Sequence, residues 1–283
     1  MKPADRESDD GTAPASDRPM GYDSWATWYD AVYSQSSLGS AYTSLTARHL
    51  EVLVPLCSAG QDGFLDVGAG TGRLSVPIAA KGILVTAVEP SKGMVNELRA
   101  NASRAGVADR INVIEACAQS VPPQSIYRKH DVAACLFSTI HHVLEETDLE
   151  RSLAMMASAV RNGGTVLIGV HPPELFDAFR KPIEHRLQRP TQGQPHSWSQ
   201  VAEAVPQGDQ RLDILCTLTF DNGRVVKDRL RLRTWTVEQI VSAAKQCGLA
   251  SEAELSRIGQ ELLLRFRHDA GTRLAGSSAA GLR

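Results

Sequence analysis

Short apolar runs that alternate with helix-like segments predict an α/β protein, a doubly wound parallel sheet with helices on both faces. The clearest unit is Phe64-Leu65-Asp66-Val67-Gly68-Ala69-Gly70-Thr71-Gly72-Arg73-Leu74-Ser75, an apolar strand, a turn with Gly at alternate positions, and the start of a helix. The run Asp131 to Phe137 is apolar after its first residue, as a central strand covered on both faces requires. At 283 residues, 42% hydrophobic and 22% charged, the chain suits one such domain with an insertion, or one domain plus a small lobe.

Residues 1–20 are polar and charged and read as a disordered leader. An aromatic helix is expected from Tyr22, with Tyr22, Trp25, Trp28 and Tyr29 at helical offsets. Tyr42 to Cys57 carries an apolar stripe at Leu45, Leu50, Leu53 and Val54 and should end at Pro55. Asp62-Gly63 turns the chain into the first strand. A helix is then expected from Gly72 to Ala80, ended by Lys81-Gly82. The second strand closes on Glu89, and Pro90-Ser91 opens a helix with Ser91 as N-cap and Met94, Val95 and Leu98 facing inward. The third strand is Ile111 to Ala116, the fourth Asp131 to Phe137. A helix from Thr147 or Asp148 to Val160 is stopped by Asn162-Gly163-Gly164, before a fifth strand from Thr165 to His171.

From Glu174 to about Gln210 the sequence is Pro-rich and irregular, with one short helix around Leu175, Phe176 and Phe179. Leu212 to Phe220 and Val225 to Trp235 alternate as strands about the turn Asp221-Asn222-Gly223. Thr236 to Gln239 is a capping box for a helix to Gln246. Cys247-Gly248-Leu249 leads to a sixth strand, and Leu262 to Phe266 is the seventh. The expected division is a leader at 1–20, a ligand-binding domain at 21–171 plus 236–268, an inserted segment at 172–235 and a disordered tail at 269–283.

The formal net charge of −2 gives no phosphate-binding surface, so nucleic acid is not an expected partner. No apolar run approaches a membrane span. Five widely spaced cysteines, Cys57, Cys117, Cys135, Cys216 and Cys247, suit buried thiols in a reducing cytoplasm. The adjacent His141 and His142 do not have metal-ligand spacing, and no metal is expected. Neither the charge nor the composition separates a monomer from a homodimer.

The glycine loop is where the chemistry concentrates. Glycines let the backbone take positive φ and approach a ligand closely, with the next helix's amides aimed at it. A dinucleotide fingerprint, G-x-G-x-x-G, would need Gly at 73, where Arg73 stands. The form present, G-x-G-x-G preceded by Asp66, resembles motif I of the class I S-adenosylmethionine (SAM) dependent methyltransferases.

That resemblance covers roughly 22–171 and 236–267, and implies a Rossmann-like seven-stranded sheet, its last strand antiparallel, with a β-hairpin lid inserted after the fifth. SAM would be the cofactor and S-adenosylhomocysteine (SAH) the product. Asp66, Gly68, Ala69, Gly70 and Gly72 would bind it, and Glu89 would accept both ribose hydroxyls. Pro90 would also line the cofactor site, and Met94 would rest against the adenine. Where the family commonly places an acid for the adenine amino group, this chain has Cys117, so that contact falls to backbone groups of Ala118 and Gln119 or to the Gln119 side chain. Phe137 and Ser138, at the tip of the fourth strand, would lie where sulfonium and acceptor meet.

The aromatic leader resembles the Y-D-x-W-A-x-x-Y-D-x-x-Y segment of small-molecule methyltransferases. Tyr22, Tyr29 and Tyr33 would then cap the cofactor, with Tyr29 a candidate beside the acceptor. The segment Phe137 to Val143 is similar to one in amino-sugar N-methyltransferases, and on that match His142 is preferred to His141 as the residue by the acceptor amine. The expected function is methyl transfer to nitrogen of a small metabolite, a natural-product or sugar-amine intermediate in secondary metabolism such as antibiotic biosynthesis. An oxygen acceptor, or a SAM-binding regulator without turnover, are the other classes.

Overall fold

The computed structural model describes residues 21–58, 63–122, 125–126, 129–203, 210–252 and 256–269. The expected leader, Asp62 of the first turn, and the tail beyond Asp269 lie outside them. The chain opens with α1 (Ala26–Gln35) and α2 (Gly39–Leu53), the second running into a single 3-10 turn that contains Pro55. It then alternates through β1 (Phe64–Val67), α3 (Ser75–Ala79), β2 (Val85–Val88), α4 (Lys92–Arg104), β3 (Ile111–Ile114), β4 (His130–Cys135), α5 (Glu146–Ala159) and β5 (Val160–Val170).

After α6 (Pro173–Asp177) come four strands, β6 (Ile183–Arg186), β7 (Ser197–Glu203), β8 (Arg211–Thr219) and β9 (Val225–Arg233). The chain returns through α7 (Val237–Gln246), β10 (Leu249–Ser251), β11 (Ser256–Ile258) and β12 (Glu261–His268).

The main sheet has the order β10-β12-β5-β4-β1-β2-β3, with β11 paired to β12. Strands β1 to β5 run parallel, and β12 is antiparallel to β5. Alternate residues feed opposite layers. Leu65, Val67, Ala133 and Cys135 pack toward α5 and α7. Phe64, Val85, Ala87, Val132 and Ala134 pack toward α2, α3 and α4. With both faces covered, every residue of β1, β2 and β4 is buried. The carboxyl ends of β1, β2 and β4 therefore open on one edge, at the strand-order reversal where ligands bind in such sheets.

Several elements differ from expectation, among them the aromatic helix, which begins at Ala26 where Tyr22 was expected, and the main sheet, which has an eighth strand, β11, beside the seven expected. The helix after the glycine loop is shorter, beginning at Ser75, because Gly72 sits at φ 91° and cannot be helical. The Asn162-Gly163-Gly164 stop lies inside the irregular start of β5, since α5 already ends at Ala159. The insertion is a four-stranded antiparallel sheet, β6-β7-β8-β9, where a single hairpin was expected.

Ser91 accepts the Met94 N–H at 3.1 Å as the N-cap of α4. Thr236 and Gln239 form the expected capping box. A third core joins α1 to the inserted sheet through Trp25, Val32, Trp198, Cys216, Leu230 and Leu232.

Candidate active site

The turn after β1 is built by backbone geometry. Gly68, Gly70 and Gly72 have φ of 71°, 55° and 91°. The loop hangs from β2, with the Gly68 and Ala69 N–H groups donating to the Val88 carbonyl at 2.8 and 3.2 Å. A Cβ at Gly68 would come 2.2 Å from Thr139 Cγ2, so the tip after β4 fills that space. A Cβ at Gly70 would meet nothing within 4 Å. The loop thus has one packed side and one open side.

Glu89 borders that open side. It is 7% exposed, and its two carboxylate oxygens accept the Gly70 and Ser91 N–H groups, each at 2.9 Å. Burial pushes its carboxyl up to about 7, against the pull of those two N–H groups. A carboxylate has about four acceptor positions, so each oxygen keeps one for a hydroxyl. A vicinal diol fits this arrangement.

Asp66 points inward. Ser75 Oγ donates to it at 2.6 Å, burial raises its carboxyl above the ordinary value, and that hydrogen bond partly offsets the rise. Its role here is to tie β1 to the first turn of α3. Ala69 is buried in the core below the loop. Met94 is 2% exposed and Pro90 half-buried, both just past Glu89. Cys117, Ala118 and Gln119 are half-buried in a turn after β3. Burial raises the Cys117 thiol, and the nearby Glu89 charge raises it further.

The aromatic helix is fastened to this floor by two aspartates that sequence reasoning did not single out. Asp23 accepts Ser91 Oγ at 2.6 Å and the Gly93 N–H at 2.8 Å. Asp30 accepts Thr71 Oγ1 at 2.6 Å and Asn101 Nδ2 at 3.0 Å. Both belong to the repeated Tyr-Asp pairs, which was the available signal. The helix carries a connected set of rings: Tyr22 to Tyr29 at 5.8 Å, Tyr29 to Tyr33 at 4.7 Å, and Tyr33 to Trp198 at 5.4 Å. Tyr33 also meets Phe137 edge-on at 5.8 Å. Burial raises the hydroxyls of Tyr22, Tyr29 and Tyr33 well above the ordinary phenol value, so all three stay neutral.

The two histidines of the β4 tip separate cleanly. His141 is fully buried, its Nδ1 donates to the Arg233 carbonyl at 2.8 Å, and its Nε2 accepts the His171 N–H at 3.1 Å. Both nitrogens are committed to backbone, which leaves this ring no position for a substrate proton. His142 is half-buried, and its Nε2 lies 3.2 Å from the Tyr22 hydroxyl. The ring also hydrogen-bonds the Arg231 backbone. Burial lowers His142 to about 4, with that bond opposing, and His141 falls to about 4 for the same first reason. His142 is therefore a neutral acceptor and a weaker base than its unperturbed imidazole would be.

The tyrosine that meets His142 is Tyr22, while Tyr29 sits one ring away. Tyr22 itself has φ 88°, with its N–H held by Asp228 Oδ2 of β9 at 2.7 Å. Asp228, Arg231, Arg233 and Trp198 all come from the inserted sheet, and nothing local in the sequence announces them. Phe137 and Ser138 form the tip itself, with Ser138 Oγ 2.7 Å from His171 Nδ1.

Residues 64–164 match a family described as a methyltransferase domain. A putative methyltransferase of Geobacillus sp. (strain WCH70) is 28% identical over 158 residues, 56% of this chain and 60% of that relative. The chain thus spans less than two thirds of this curated relative. A SAM-dependent methyltransferase from Clostridium acetobutylicum superposes with TM-score 0.67 at 14% identity, over 86% of this chain and 98% of the other. The sugar N-methyltransferase KedS8 from Streptoalloteichus sp. gives TM-score 0.63 at 21% identity, over 85% and 92%. Among the described residues no helix is long and apolar enough to cross a membrane. Residues 64–164 thus carry the methyltransferase-domain match, and the sheet order around this loop is the fold shared with SAM-dependent methyltransferases of known structure.

Proposed function

We propose that this protein transfers a methyl group from SAM to the nitrogen of a small amine, an amino sugar or related natural-product intermediate, in the cytoplasm that its free thiols suit. One observation carries the acceptor side. A neutral Tyr22–His142 pair stands at the β4 tip, inside a ring of aromatic side chains between α1 and the inserted sheet. The Tyr-rich helix and the inserted sheet form the cover over the acceptor. The fold similarity to a sugar N-methyltransferase supports the same reading.

Bound SAM supplies a methyl on a sulfonium, and its transfer to an uncharged amine leaves SAH and a proton on the product nitrogen. Glu89 holds the ribose diol, and the open side of Gly70 admits the nucleoside without a Cβ in its way. The Tyr22 hydroxyl donates to His142 Nε2, so its oxygen lone pairs turn toward an amine N–H. His142 near 4 is too weak to strip an ammonium ion. The aromatic surroundings instead favour the amine as its free base, because a buried ammonium without a partner is costly. Catalysis here is alignment and desolvation of a ready nucleophile.

The test is incubation with SAM and paired metabolites that differ only in bearing an amine or a hydroxyl at one carbon, read by mass spectrometry. The amines are expected to gain one methyl unit and their hydroxyl counterparts none. Methylation of the hydroxyl partners alone would overturn the nitrogen reading. SAH binding without turnover of any pair would favour a regulatory protein.

A further inference from the structure

Four non-glycine residues among those described have positive φ, and two of them adjoin: Phe137 at 57° and Ser138 at 65°. Residues with a Cβ rarely hold that conformation, and a consecutive pair persists only where its surroundings impose it. We propose that Glu261, backed by His49 and Arg73, is the positioning residue that imposes it, fixing the β4 tip against the glycine loop and thereby setting how tightly the cofactor is held. The inference rests on the SAM reading above.

Phe137 is gripped at both ends. Its N–H donates to Glu261 Oε1 at 2.6 Å, and the Arg73 guanidinium lies 4.8 Å from the centre of its ring. The other Glu261 oxygen lies 2.8 Å from His49 Nε2, and neither of those side chains is exposed at all. Arg73 Nη1 lies 3.2 Å from His49 Nδ1. A guanidinium only donates, so His49 Nδ1 accepts and Nε2 carries the hydrogen toward Glu261. A loop residue and the last strand are thus linked through one imidazole ring.

Burial pushes the Glu261 carboxyl up, but His49, His171 and the Phe137 N–H together bring it below its ordinary value, so it is ionised. The fold also makes room for it. A Cβ at Gly169 of β5 would come 1.8 Å from Glu261 Oε1. A buried acid is costly unless its charge is compensated; here one oxygen accepts the Phe137 N–H and the other lies 2.8 Å from the His49 ring of α2. No part of Glu261 or His49 faces the open side of the loop.

The experiment uses the full chain with Glu261→Gln and Glu261→Met, SAH as the calorimetric probe, and the Phe137 amide resonance as the local signal. Gln keeps an acceptor for the Phe137 N–H; Met keeps none. SAH affinity is expected to fall about threefold for Gln and about tenfold for Met, the scale of one hydrogen bond to a charged group. The Phe137 amide proton is expected to move upfield in the same order.

In a Ser138→Gly background, where positive φ comes freely, the same Met change is expected to cost less than about threefold. Equal losses in both backgrounds would make Glu261 simple core filling and overturn the proposal. If Glu261→Met does not fold, the Gln variant decides, and an unshifted Phe137 amide with unchanged affinity overturns it. Absence of heat from SAH with the unmodified chain would remove the cofactor reading instead, and the amide resonance would still decide whether Glu261 holds Phe137.

Discussion

The floor around Gly70 and the cover around His142 are built from different materials. The floor is backbone: Gly70 and Ser91 N–H groups on Glu89, and Gly68 and Ala69 N–H groups on Val88, all within one strand-turn-helix-strand unit. The cover is side chains pinned from afar. His141 leans on a carbonyl 92 residues along the chain, and Tyr22 on a carboxylate 206 residues away. A backbone site depends on which positions lack a Cβ, and a substitution there acts through sterics and φ. A side-chain site depends on several distant elements arriving together, and single changes in it should be milder.

The largest effect that would sharpen this contrast is at Gly68. Gly68→Ala forces a Cβ into Thr139 at positive φ and is expected to lower stability by about 2–5 kcal/mol in urea unfolding. Gly70→Ala, facing open space, should cost only about 1–2 kcal/mol of stability while abolishing SAH binding. If the two alanines behave alike, the division of the loop into packed and open sides is wrong. Next comes Glu89→Gln, which should weaken SAH by about 1.5–3 kcal/mol with a small change in melting temperature.

The pH dependence follows from the same carboxyl. Its folded value near 7 lies above the ordinary 4.5, so the ligand-free protein keeps a proton that the unfolded chain has lost between those values. That contribution to stability is full below about 4.5 and gone above about 7. Ribose hydroxyls take the ionised form, so SAH should bind about tenfold more tightly at pH 8 than at pH 6. Glu89→Gln should flatten the profile.

Smaller effects belong to the cover. His142→Ala should reduce turnover of a methylated amine about tenfold, short of the 10²–10⁴ typical of a lost general base. Tyr22→Phe should cost less, about threefold, with SAH affinity unchanged in both. A thousandfold loss at His142 would mean that the ring carries the proton after all.

The floor was legible in the sequence because glycine takes φ of 55° to 91° without strain, and because Glu89 closes a strand that hydrophobic patterning finds. Ser91 and the Thr236–Gln239 box were legible for the same reason, each being a local rule about helix ends. Strands β6 and β7 were not, since Pro-rich flanks hide strands whose pairing comes from each other and from β8. The choice of His142 over His141 rested on similarity of a short segment. What separates the two rings is the pair of backbone partners at Arg233 and His171 that only the fold brings to His141. Tyr22 in place of Tyr29 beside His142 depends on a single positive-φ residue held by Asp228, which no periodicity reveals.

The most direct measurement of the central claim is calorimetric titration of SAH into the full chain and into its Glu89→Gln variant at pH 8. Saturable one-to-one binding that the variant weakens at least tenfold is the expected result. Equal affinity in both proteins, or no heat in either, would contradict the placement of the nucleoside between Gly70 and Glu89.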